Sequence, residues 1–170
     1  MSTIFIAGVI VGFVLVVCLL LISINGRHRR KAANELVALF RRKEKENELL
    51  ISKWEVAGKL VIGLEEEGKA ILAFHKHQGQ YKSDLVELSK VKNCQKKKVY
   101  SGDGAGNEGY GRQVEKIYLQ FNFIDDRPPV QIVFYSSMDN QLLEMAEMEQ
   151  KAMDWEQIVK GVLHKDLKIA

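Results

Sequence analysis

The clearest alternation in the chain runs from Glu115 to Ile124, where Ile117, Leu119, Phe121 and Phe123 share one face and Tyr118, Gln120 and Asn122 the other. A period of two marks a strand with one buried face. Asp125-Asp126-Arg127-Pro128-Pro129 breaks the chain, and Val130, Ile132 and Phe134 resume the pattern as the next strand. Earlier, Leu60, Ile62 and Leu64 alternate with Val61 and Gly63, Glu65 to Lys69 form a turn, and Ala70 to Lys76 return as a short apolar run, which is hairpin grammar. Tyr81 to Leu88 is a weaker strand and Lys90 to Tyr100 a longer one. After the strands, Leu142, Met145, Met148, Ala152, Trp155, Val159 and Val162 recur at steps of three and four. That spacing predicts one amphipathic helix, with Ser137 or Asp139 available as its N-cap. A Met-rich stripe of this kind serves as core wherever a sheet with an apolar face waits to be covered.

The N-terminal part follows other rules. Ile4 to Ile24 is a nearly unbroken apolar run, and the first 26 residues contain no Lys, Arg, Asp or Glu. A helix crossing a ~30 Å hydrocarbon core needs about 20 apolar residues, so the run predicts a transmembrane anchor over residues 1–26. A cleaved signal peptide fits less well, because no charged n-region and no A-x-A site are present. Arg27, Arg29, Arg30 and Lys31 follow the run directly. Flanking cations resist translocation, which places the rest of the chain in the cytoplasm, the N-terminus outside, and the protein in the inner membrane as a single-pass species. Those four residues are the expected contact with an anionic lipid surface. Gly8 and Gly12 form a G-x-x-x-G, whose small face would admit a second copy of the helix, leaving a homodimer open. Residues 27–53 lack Gly and Pro, carry an apolar stripe at Ala33, Leu36, Val37 and Phe40, and read as a basic helical stalk spacing residues 54–170 from the bilayer.

Charge divides along the same line. Residues 27–53 hold nine Lys or Arg against four Glu, whereas residues 54–170 hold 16 against 18 Asp or Glu. The domain is thus mildly acidic, and a nucleic-acid partner is disfavoured. Ser101 to Gly111 contains a literal G-x-G-x-x-G at Gly104, Gly106 and Gly109, but a strand follows where a dinucleotide fingerprint needs a helix. It reads as a loop, with Tyr110 as its anchor for a partner, and no nucleotide is expected. His75 and His77 would share a strand face without an obvious third ligand, so no metal is expected. Lys96-Lys97-Lys98 reads as a solvated strand end. Cys18 and Cys94 form no framework and read as packing residues. No nucleophile sits beside a base, so no catalytic residue, cofactor or enzymatic activity is expected.

The opening hairpin, "SDLVELSKVKNC", the "KIYLQFNF" to "VQIVFYSS" hairpin and the closing "LLEMAEMEQKAMDWEQIVKGVL" together resemble a bacterial pleckstrin-homology-like domain over roughly residues 60–163. The expected fold class is α+β: an N-terminal transmembrane helix and helical stalk, then an antiparallel pleckstrin-homology-like sandwich or partly open barrel capped by a C-terminal amphipathic helix. Five strands are legible and a sixth is weak, against the seven usual in that family. The resemblance implies lipid or protein binding. Lipid-binding members carry cations in the first hairpin loop, and here Glu65, Glu66 and Glu67 would repel phosphate. The expected role is therefore that of an adaptor or accessory subunit with an unknown protein partner, the alternative being a lipid-surface sensor acting through the basic stalk.

Overall fold

The computed structural model describes residues 31–77, 80–101, 113–125 and 127–166, with positions 13 and 16 besides. The chain divides into two compact units, Met1–Glu35 and Leu36–Ala170. Among the described residues the second holds seven strands: β1 (Ile51–Ala57), β2 (Leu60–Glu65), β3 (Ala70–His77), β4 (Gln80–Glu87), β5 (Val91–Tyr100), β6 (Val114–Phe123) and β7 (Val130–Ser136). They form two antiparallel meanders, a four-stranded sheet in the order β1-β2-β3-β4 and a three-stranded sheet in the order β5-β6-β7.

Residues 31–46 form helix α1, and Met145–Asp166 form helix α2. The stripe foreseen for α2 is its buried face: Met148, Ala152, Trp155 and Val159 are closed to solvent and join the inward rows of both sheets in the main core. Ile117, Leu119 and Phe121 of β6 and Ile132 and Phe134 of β7 lie in the same core. Trp155 keeps its indole N–H satisfied by donating to Glu55 Oε2 at 3.1 Å, as a buried Trp requires. Leu142 departs from the expected stripe. It belongs to a 3-10 turn before α2 and is exposed, and the helix entry is fixed by Gln141, whose N–H donates to Glu144 Oε2, in place of Ser137 or Asp139.

Three sequence expectations require correction. No helix among the described residues is long and apolar enough to cross a membrane, and the run Ile4–Ile24 lies outside the described residues apart from positions 13 and 16. The expected transmembrane, single-pass, inner-membrane protein therefore has no support, and the fold class is corrected to α+β with two antiparallel sheets and a C-terminal helix. Helix α1, in the segment expected as the stalk, carries Arg41, Arg42 and Lys43 paired with Glu44 and Glu46 along its surface. Second, within the unit that starts at Leu36, the helix is no free spacer. Leu36 and Phe40 are buried against Val61, Leu72 and Phe74 on the outer face of the first sheet, forming a second apolar cluster. Third, the strand count rises to seven, because Ile51–Ala57 pairs with β2 as an edge strand. Gly58, at φ +60°, supplies the left-handed residue of the β1–β2 turn.

Candidate functional site

The inward row of β3 and β4 changes character along its length. Ile71 pairs with Val86, Ala73 with Asp84, and His75 with Lys82. The paired strands thus pass from core at the Ile71–Val86 end to polar surface at the His75–Lys82 end, since charged groups that keep their water cannot seal an apolar interior. At this polar end, β4, the edge of the first sheet, meets β7, the edge of the second, and a cleft of about 260 Å³ opens between them.

The cleft is lined by Lys59 from the β1–β2 turn, Lys76 and Lys82 from β3 and β4, and Lys116 from β6. Asp84 and Asp139 are its carboxylates; the pleat turns the Lys76 ammonium to the outer face, with Phe74 and Tyr81, so the ammonium groups of Lys59, Lys82 and Lys116 meet two acids. Lys59 donates to Asp139 Oδ1 at 3.1 Å, and Asp84 Oδ2 lies 3.6 Å from His75 Nδ1. Lys116 donates to Gln131 Oε1 at 3.2 Å, a neutral acceptor. Lys76 lies over the Tyr81 ring, 4.9 Å from its centroid. Among the described residues Lys82 and Lys116 form no ion pair, so two cations remain in the cleft for an incoming ligand. The rim is braced by Asn140, whose Oδ1 accepts from the Ser136 N–H at 3.1 Å.

His75, Asp84 and Ser136 all line this cleft, the residue types of a hydrolytic triad. Nucleophilic chemistry needs the hydroxyl within hydrogen-bond reach of the imidazole. Among the described residues Ser136 makes its bond through its backbone N–H to Asn140, and its hydroxyl makes none to His75. Cys94 offers no alternative: burial first, and the Glu156 charge second, push its thiol up to about 12.

The other sequence candidates separate from the cleft. Lys31 is exposed in α1, whereas Arg27, Arg29, Arg30, Gly8, Gly12 and the loop with Tyr110 lie outside the described residues. His75 is half-buried against Asp84, and the side chain of His77 also lies outside the described residues. No group of three metal-ligating side chains occurs among the described residues. The Lys96-Lys97-Lys98 run is split by the pleat: Lys96 and Lys98 donate to Glu149 at 2.7 and 2.6 Å, while Lys97 faces solvent. Their hydrogen bonds, Lys96 first and Lys98 second, hold the Glu149 carboxyl below the usual range. Sequence reasoning missed the cleft itself. Its one local signal was the polar row Lys82 and Asp84 in a strand that is apolar further on, at Val86.

No protein-family model matches the chain, and no curated protein or solved structure matches it.

Proposed function

We propose that the unit from Leu36 onward is a non-catalytic, protein-binding module of the pleckstrin-homology-like kind, serving as an adaptor or accessory subunit. The observation that carries this reading is the polar cleft between the edge strands β4 and β7. Unpaired strand edges are templates for a partner segment, and here two of them border a cavity already furnished with donors. Support comes also from the architecture: sheets of four and three antiparallel strands with a C-terminal helix over the core accord with the family resemblance. Within the cleft Ser136 engages Asn140 through its backbone N–H, and the Cys94 thiol is pushed up to about 12, so neither of these two is prepared as a nucleophile.

A photo-crosslinking amino acid at position 131, on the cleft wall, tests it in living cells against the same group at Lys92, exposed on β5. The expected result is a discrete adduct from position 131, identified by mass spectrometry and then rebuilt from purified components. Identical adducts from both positions, or none from 131, would overturn the reading.

A further inference from the structure

We infer that the β4–β7 cleft takes an acidic, extended peptide segment, with partner carboxylates seated on Lys82 and Lys116; this rests on the binding role proposed above. The cleft's ammonium groups outnumber its carboxylates, and one of those carboxylates, Asp139, is engaged by Lys59 at the rim. A neutral or basic segment would leave the ammonium groups of Lys82 and Lys116 to be desolvated without compensation. A carboxylate supplies that compensation through charge-assisted hydrogen bonds, stronger than those between neutral groups.

The shape of the site selects an extended chain. Among the described residues β4 pairs only with β3 and β7 only with β6, so each has one edge whose backbone N–H and C=O groups have no described strand hydrogen-bonded to them. A segment laid along such an edge hydrogen-bonds through its backbone and points alternate side chains the same way, about 7 Å apart. Acidic residues at every second position would therefore meet the lysines together, while the amide N–H groups of Gln131, on the wall, face the intervening backbone.

A long polyanion fits less well. Residues 54–170 carry 18 acidic against 16 basic residues, so a nucleic acid reaching beyond the cleft meets net repulsion where it needs a basic stripe. The cationic character is local to the cleft, and so is the ligand's charge.

Binding of a fluorescent peptide alternating Glu and Thr to the full chain, read by anisotropy, tests the inference. A Gln-Thr peptide and a single-stranded oligonucleotide serve as comparators. The Glu peptide should bind at least about tenfold more tightly than the Gln peptide, and the preference should shrink as salt rises from about 0.05 M to about 0.5 M. Lys82→Glu with Lys116→Glu should abolish it while leaving circular dichroism and the unfolding midpoint unchanged. Lys82→Gln alone, a milder change, should reduce affinity severalfold.

Equal binding of the two peptides, or tighter binding of the oligonucleotide, overturns the acidic-segment assignment. If the Gln peptide binds in the cleft and position 131 still yields its adduct, the binding role stands and only the ligand class falls. If neither peptide binds and position 131 yields no adduct, the binding role itself falls.

Discussion

Replacing Phe40 by Ala separates a helix that belongs to the fold from one that merely leads into it. Phe40 is fully buried against Val61, Leu72 and Phe74. Truncating a buried Phe to Ala costs about 3–5 kcal/mol through lost transfer free energy and the cavity left behind. Two terms reduce this here. Ala is the better helix former by about 0.5 kcal/mol, and a helix resting on a sheet can settle into part of the void. The expected loss is about 3 kcal/mol. On a solvated spacer helix the same substitution would fall within about 0.5 kcal/mol of neutral. Urea unfolding reads the difference: with a slope of about 2 kcal/mol/M, the midpoint should drop by about 1.5 M. Trp54, which lies beneath the Arg41 guanidinium at 4.8 Å, reports the helix–sheet contact, and Trp155 reports the main core.

Gly63 supplies the second arm of that experiment from the opposite side of the interface. A Cβ there would stand 2.8 Å from Phe40 Cζ and 2.7 Å from Ile51 Cγ2. Gly63→Ala should therefore cost about 1–3 kcal/mol by overpacking. With Phe40 already truncated one of the two clashes is gone, so the same change should cost about 1 kcal/mol less, a coupling measurable in a double-mutant cycle. Strict additivity, or a Phe40→Ala loss under about 1 kcal/mol, would refute the docking of α1 on the sheet.

Two further predictions concern the main core. Because Lys96 and Lys98 depress the Glu149 pKa, the stabilisation is fully present above the unfolded carboxylate range near pH 4.5 and is lost as pH falls through the lower folded value. Glu149→Gln should cost about 1 kcal/mol at neutral pH and nothing once Glu149 is protonated in both states, checked by unfolding midpoints from pH 7 downward; a variant whose deficit persists unchanged in acid would contradict the ion-pair account. Cys94 is fully buried with its thiol raised to about 12, so in a Cys18→Ser background a thiol reagent near pH 8 should label it only through opening of the fold, and denaturant should accelerate the reaction. Labelling at the rate of a free thiol under native conditions would sink that claim.

How much of this was legible in the sequence depended on how much of each signal was local. The β6 alternation and the α2 stripe were legible because one residue's periodicity suffices to orient its neighbour, and both faces found the burial they called for. β1 was not, since Ser52, Lys53 and Trp54 are exposed on an edge strand and no alternation survives there. The stripe Leu36, Val37 and Phe40 was visible, yet its destination was not. One clue existed: Leu60–Leu64 is buried on both faces, and a strand apolar on both sides must be covered twice. Reading Val61 as a second apolar face would have asked what covers it, and the stalk was the nearest free stripe.

Charge shows the opposite relation between sequence and surface. Lys96, Lys97 and Lys98 are contiguous, but a strand alternates its faces, so two of them turn to α2 and share the carboxylate of Glu149 while the third faces solvent. Lys59, Lys82 and Lys116 share no motif, yet a turn, a hairpin strand and a distant strand bring them to one cleft. A run of like charges in a strand is dispersed by the pleat, and a patch is built by topology from residues chosen one at a time. The Gly104 to Gly109 spacing offered a phosphate cradle in sequence alone; the cationic cleft has no spacing at all, and it is the arrangement with cations outside any ion pair to offer.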